Sequence, residues 1–331
     1  MQRDTIVDFM KEPLIPVGTK IEDYLAVALG VRHTSMMVFP YDLPDASILG
    51  ATIDERFRQK IQGKWVPGDS LGDYLYRRAR KLLKRSPAAQ ARYKANLLSD
   101  IYEDVVKSSP SYESFMSWAG KLGLKNRQLQ SRPTIREVFL FKSSDISSSL
   151  DALQDLRKDL RYEASRRAPQ GIPPAEMAFP EQFNPEFVRT LGKLLGYPSC
   201  CVERYVFDRK SRILSPEERA SNQIKEMGEN EKPDIFAYFV RDFLPCTPWC
   251  EEASALGRKL MHELGQIDSG LPALYEKRLQ ENVSFVLKYP DMARQRAREL
   301  ERMREESTKQ DQRSYDGTAR GDGNHGEAGQ R

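Results

Sequence analysis

Apolar residues recur at helical spacing along most of the chain, and two short segments break that rhythm with denser apolar runs. The spacing predicts helices over 46–62, 70–85, 88–107, 112–122 and 147–167, punctuated by Pro87 and Pro110. An earlier helix is marked by Thr19-Lys20-Ile21-Glu22, which has the form of a capping box, and is closed by Gly30. The two exceptions are Thr34-Ser35-Met36-Met37-Val38-Phe39, stopped by Pro40, and Arg136-Glu137-Val138-Phe139-Leu140-Phe141-Lys142. Both are rich in branched and aromatic residues and read as strands. An Asp-containing turn (Asp42, Asp145) and a helical pattern follow each, so the two are expected to pair in a small sheet.

Beyond residue 167 the pattern changes. Residues 168–183 hold prolines at 169, 173, 174 and 180 and read as a linker. Asn184-Pro185 supplies a capping side chain followed by proline in the first turn, starting a helix that ends at Gly196. Ser215-Pro216-Glu217-Glu218 starts another, and 233–243 reads as a further helix. Over 291–306 opposite charges sit at helical pair spacing, as on a solvated helix. Residues 307–331 carry almost nothing apolar and are expected to be disordered. The expected organisation is a helical region with a small sheet over 1–167, a linker over 168–183, a helical module over 184–290, a charged helix over 291–306 and a tail over 307–331. The fold class is mainly α (α+β): helical, with two or more short strands in the N-terminal half and a helical four-cysteine module in the C-terminal half.

Composition adds limits rather than a function. A chain of 331 residues allows about two domains. A net charge of +4 among 30% charged residues does not demand a nucleic-acid or anionic-membrane partner. The longest apolar run, from Tyr24 to Val31, is far short of the ~20 residues that span a bilayer. Acidic residues stand where a signal peptide would be apolar, so the expected location is cytoplasmic, with no membrane partner.

The chemistry is concentrated in one place. All four cysteines lie within residues 200–250, as Cys200 and Cys201 side by side and as Cys246 and Cys250. In a reducing cytosol, clustered cysteines are more often ligands or catalysts than staples. Each pair falls at an expected helix start, with Ser199 and Thr247 as the caps. The free amides and partial positive charge of a helix N-terminus favour thiolate, the form that binds metal. Cys246-x-x-x-Cys250 has the pair spacing of a zinc site. Adjacent cysteines on a helix point ~100° apart, so Cys200-Cys201 suits such a site less well, and one of them is a candidate packed neighbour rather than a ligand. An iron–sulfur cluster accepts more separated ligands. Zinc and an iron–sulfur cluster both stand as cofactors, beside a disulfide staple or redox pair and reduced structural thiols. His262 follows Cys250 by twelve residues, about 18 Å along an unbroken helix, and cannot share its metal. His33 is remote in sequence and His325 lies in the tail.

Gly196-Tyr197-Pro198-x-Cys200-Cys201, then Pro245-Cys246-x-x-x-Cys250 with Ala253 and Gly257, resembles an uncharacterised prokaryotic, largely archaeal family that carries only a domain-of-unknown-function label. The resemblance covers about 185–285 and implies that the four cysteines are the functional centre; it implies no reaction.

Other features carry weaker signals. Residues 76–85 hold six cations, Arg77, Arg78, Arg80, Lys81, Lys84 and Arg85, which Arg92 and Lys94 extend. They read either as an RNA-contacting face or as the solvated side of an amphipathic helix whose stripe is Leu71, Leu75, Ala79 and Leu82. Trp249 is a candidate shield for the cysteines or a core residue. Tyr197 and Tyr205 are candidate sulfur partners, and Glu203, Glu251 and Glu252 candidate acid–base groups. The expected function is a thiolate-ligated metal centre, structural or accessory to a redox or modifying enzyme. The alternatives are a thiol–disulfide protein and an RNA-binding or scaffold protein with a structural cysteine module. The chain has no Walker loop, dinucleotide fingerprint, nucleophile elbow or zinc-protease motif, so the sequence assigns no reaction, and a protein partner stays open.

Overall fold

The computed structural model describes residues 3–66, 70–72, 75, 86–167, 174–212, 215–228 and 231–319. Three strands, β1 (Thr34–Phe39), β2 (Lys125–Arg132) and β3 (Ile135–Phe141), form an antiparallel sheet of order β1-β3-β2. The two expected strands pair directly, Met37 opposite Val138 and Thr34 opposite Phe141. Side chains alternate along β3: Val138 and Leu140 enter one core, Phe139 and Phe141 another. A strand buried on both faces needs no polar side, which is why its sequence reads as a nearly unbroken apolar run.

Helices cover both faces. They are α1 (Arg3–Lys11), a helical stretch α2 over 17–28 with a π-helical centre at Lys20–Leu25, α3 (Ala46–Ile61), α4 (Pro87–Val106) and α5 (Pro110–Lys121). After the sheet come α6 (Asp145–Arg166), α7 (Pro185–Leu194), α8 (Ser199–Ser211), α9 (Pro216–Lys225), α10 (Glu251–Ile267) and α11 (Leu271–Ala319). Leu150 and Leu153 of α6 and Phe187 of α7 pack on Phe139 and Phe141. The main core, on the other face, joins the N-terminal helices to Leu260 and Leu264 of α10 and to Tyr275 and Leu279 of α11. A third core, around Tyr238, Phe239, Phe243 and Ala253, contains Cys201 and Cys250.

The mainly helical α+β class holds, and the expected caps at Asn184 and Ser215 form, the second as a full capping box with Glu218. Four local readings change. β2 was not expected, because Lys-Asn-Arg-Gln-Leu-Gln-Ser-Arg buries only Leu129; backbone pairing to β3 makes it an edge strand, not side-chain alternation. Thr19 makes no cap, and Glu22 is buried: it accepts from Arg241 N (2.8 Å), Arg278 Nε (3.2 Å) and Asn282 Nδ2 (3.3 Å). The helix expected over 233–243 is a single turn, Ile235–Tyr238, followed by irregular backbone. Its main-chain groups bond elsewhere: Asn282 Nδ2 donates to the Tyr238 carbonyl (3.0 Å) and Tyr275 Oη to that of Phe239 (2.9 Å). The charged helix of 291–306 is part of α11, which continues through 319, where composition suggests disorder. The basic segment 76–85, linker residues 168–173 and tail residues 320–331 lie outside the described residues.

Close approach of α10 to the 235–238 turn requires Gly257, where a Cβ would stand 2.4 Å from the Phe236 carbonyl oxygen. Gly265, on the same helix, would bring its Cβ only into ordinary contact with Pro272, at 3.5 Å. Gly265→Ala is therefore expected to stabilise the protein by about 0.5–1 kcal/mol through helix propensity. Gly257→Ala gains the same propensity but is expected to destabilise by about 1–3 kcal/mol through overpacking. Urea midpoints of the two variants against the parent check both signs.

Candidate metal centre

Two helix starts and one irregular loop meet at the cysteines. Cys200 and Cys201 occupy the first turn of α8, Cys250 the N-cap position of α10, and Cys246 the loop between Phe243 and Cys250. Ser199 and Thr247 are not the caps: Ser199 lies inside α8 and bonds no backbone amide, and α10 begins three residues after Pro248 expects it. The tertiary fold, rather than a local cap, sets both helix starts.

The sulfurs converge. Cys200 Sγ lies 3.8 Å from Cys201 Sγ and 3.6 Å from Cys250 Sγ, and Cys201 Sγ lies 3.5 Å from Cys250 Sγ. All four sulfurs stand within 4.8 Å of one another, and none is in a disulfide. The adjacent pair thus does not splay as a uniform helix would suggest, because a side chain one atom long at a helix start can rotate toward its neighbour. Cys201 and Cys250 are buried, and Cys200 and Cys246 are half-buried.

Electrostatics separates the thiols. Burial pushes the Cys200 thiol up to about 12, and Cys250 adds to the rise through its hydrogen bond. Burial raises Cys201 further, against the Cys246 amide that donates to its sulfur at 3.3 Å. Cys250 goes the other way. Burial would raise it, but the Ala253 backbone N–H at the start of α10 and the thiols of Cys201, Cys200 and Cys246 hold it below its ordinary value.

A buried ion pair aims the loop cysteine. Asp208, on α8, accepts from Arg219 Nε of α9 at 2.9 Å, and both side chains are almost wholly buried. The same guanidinium donates to the Pro245 carbonyl (2.7 Å) and the Cys246 carbonyl (3.5 Å), and Gln223 Nε2 reaches the Cys246 carbonyl at 3.3 Å. One strut therefore ties the helix carrying Cys200 and Cys201 to the loop carrying Cys246. Sequence inspection passes over Asp208, Arg219 and Gln223, since charged residues on amphipathic helices are common and their partners belong to other segments.

The remaining candidates fall away from the sulfurs. His33 and His262 are exposed and outside the quartet, and His325 lies outside the described residues. Glu203 is exposed and pairs with Arg189 at 2.7 Å, and Glu251 and Glu252 are exposed. Trp249 keeps 48% of its surface and donates its indole N–H to the Lys232 carbonyl, so it is neither shield nor core. Tyr197 packs on Phe243 (4.8 Å between ring centres), and Tyr205 accepts from Arg209.

Replacing Arg219 by Met keeps the apolar stem but leaves Asp208 with Arg204 alone (3.0 Å), the Cys246 carbonyl with Gln223 alone, and the Pro245 carbonyl without its side-chain donor. Losing one of the two arginines on a buried carboxylate and the donor to one buried carbonyl is expected to cost about 1–3 kcal/mol. Thiol-reagent kinetics should show Cys246 reacting faster in Arg219→Met than in the parent, because its loop is then held by Gln223 without Arg219.

A likeness to a known family covers this part of the chain. No curated protein and no solved structure matches it. Residues 183–271, which run from the start of α7 through α10 and include all four cysteines, match the model of a family described as a protein of unknown function (DUF483).

Proposed function

We propose that Cys200, Cys201, Cys246 and Cys250 hold one metal ion, zinc or iron, through four thiolates, and that the ion cross-links α8, α10 and the loop between them. The sulfur spacing carries this reading. Around a tetrahedral ion with bonds of ~2.3 Å, thiolate sulfurs stand about 3.8 Å apart. Three of the four sulfurs here are 3.5–3.8 Å apart. A disulfide needs one partner at ~2.05 Å, whereas each of these three sulfurs has two others at nearly equal distance, as around a shared centre. A multi-iron cluster interposes sulfide and several metals between its thiolates and calls for wider spacing, so the geometry favours a single ion over a cluster. Four thiolates close the coordination sphere, which suits a structural centre, accessory to chemistry elsewhere on the protein. Such a centre belongs in a reducing, cytoplasmic setting.

One observation favours a second reading, a redox dithiol: the Cys250 thiol, held below its ordinary value, lies 3.6 Å from half-buried Cys200. Anaerobic purification followed by elemental analysis and thiol counting separates the two. The metal reading expects one zinc or iron per chain. It also expects Cys201→Ser to lose the ion and several kcal/mol of stability, on the order of 3 or more. Metal-free protein with four titratable thiols, one pair of which oxidises reversibly, would sink it in favour of the dithiol.

A further inference from the structure

A cavity of about 530 Å³ lies against the cysteine centre, with Cys201 in its wall. That volume is in the range of small-molecule sites. Its apolar wall includes Met36 of β1, Phe187 and Leu191 of α7, and Phe243 and Leu244 of the irregular segment. Four carboxylates line it: Glu22, already bonded by Arg278 and Asn282, and Asp23, both from α2, with Asp42 from the turn after β1 and Asp242 from the irregular segment.

The carboxylates outnumber the cations free to answer them. Arg32 stands 3.6 Å from Asp23 but also donates to the Glu22 carbonyl at 3.0 Å and the Leu195 carbonyl at 3.4 Å. Arg278 is bound to Glu22 and Glu281. Arg241 stacks on Phe285, its guanidinium carbon 4.6 Å from the ring centre. Among the described residues, Asp42 is hydrogen-bonded only by the Val38 amide, and Asp242 has neither a hydrogen bond nor an ion pair. Asp242 is an exposed residue of the cavity wall, and the protein around it still pushes its carboxyl upward, against the charges of Arg241 and Arg32. Burial likewise pushes Asp42 up to about 6, opposed by the Val38 amide and Arg241 and helped by the charge of Asp242. Burial also raises Asp23, against Arg32, with Glu22, Asp42 and Asp242 adding to the rise.

The spacing excludes one occupant. Among the described residues, the cysteine quartet is the group whose metal-ligating atoms come within reach of a common ion; the three aspartates form no such group. They stand too far apart to grip one metal ion. A cavity this size, apolar on one side and surplus in carboxylate on the other, fits a molecule. The Tyr197 hydroxyl, on the cavity wall with no hydrogen-bond partner among the described residues, adds a polar group for it to meet.

We propose that this cavity binds a small organic cation, with an amine or guanidinium group between Asp42 and Asp242 and an apolar body against Phe187, Leu191 and Phe243. Cys201 lines the cavity, but the groups assigned to the cation and to its apolar body are not cysteines, so the proposal does not rest on the cysteines holding an ion. The carboxylates weaken the empty protein, as functional groups commonly do. The sign follows from Asp42: its folded value lies above that of an unfolded aspartate. Between about pH 6 and pH 4 the folded state takes up a proton that the unfolded chain does not, so this group's contribution to stability rises as pH falls and is least favourable at pH 7.

The test uses the full chain and three probes of like shape: phenethylamine as the cation, 2-phenylethanol as its neutral counterpart and phenylacetate as the anion. Binding is read by calorimetry and ligand-observed NMR, with melting curves for each variant. Phenethylamine should bind saturably, at least about tenfold more tightly than the alcohol, a ratio worth about 1.4 kcal/mol, with no detectable binding of phenylacetate. Asp242→Asn and Asp42→Asn should each weaken phenethylamine about tenfold, while Asp42→Asn melts higher than the parent at pH 7. Equal affinity for amine and alcohol, no saturable amine binding, or amine affinity unchanged in Asp242→Asn in a folded protein would overturn the proposal.

Discussion

A buried backbone cannot leave its amides and carbonyls unpaired, and the architecture around the cysteines follows from how residues 234–250 meet that demand. The segment is apolar enough to bury, with Ala237, Tyr238, Phe239, Val240 and Phe243 all in the core, yet most of it forms neither helix nor strand. Its polar groups are therefore paired from outside. Tyr275 and Asn282 of α11 donate to the carbonyls of Phe239 and Tyr238, and Arg219 and Gln223 of α9 to those of Pro245 and Cys246. The Arg241 amide donates to Glu22, and the Cys246 amide to the Cys201 sulfur. Each of these bonds has a modest net value, but losing one exposes a full desolvation penalty, so the path of the loop is set by its partners collectively.

The cysteine cluster and the cavity share that loop. Its far end brings Cys246 and Cys250 to Cys200 and Cys201, and its middle, Arg241 to Leu244, walls the cavity. Cys201 faces both. An ion at the sulfurs would brace the same segment that shapes the cavity, which gives a closed tetrathiolate centre a purpose without a ligand position of its own. Glu22 has the corresponding role on the opposite side. Buried in the π-helical part of α2, it reaches the loop through the Arg241 amide and α11 through Arg278 and Asn282. The N-terminal helices and the cysteine module thereby share a polar contact beside the main core.

Some features were legible in the sequence because they are local. The clustering of the cysteines needs only counting, and the caps at Asn184 and Ser215 are written in adjacent residues. Strands β1 and β3 stand out because strands buried on both faces must be apolar throughout. The readings that changed each involved a partner outside the window. Glu22 looks like a capping residue only until Arg278 and Asn282 arrive from some 260 residues away. The 233–243 run looks helical because its composition cannot reveal that Tyr275 and Asn282 will take its carbonyls. Strand β2 has no pattern of its own and exists by pairing with β3.

The sequence by itself therefore determined the helical class, strands β1 and β3 and the identity of the four thiols, since each depends on periodicity, caps or rare residue types close together in the chain. Only the tertiary structure decided that those thiols meet in one cluster, that Asp208 and Arg219 aim the loop, and that three aspartates from separate segments face one cavity. Those outcomes depend on distances across the fold, and a linear pattern carries no record of which side chain meets a given buried charge or carbonyl once the chain has packed.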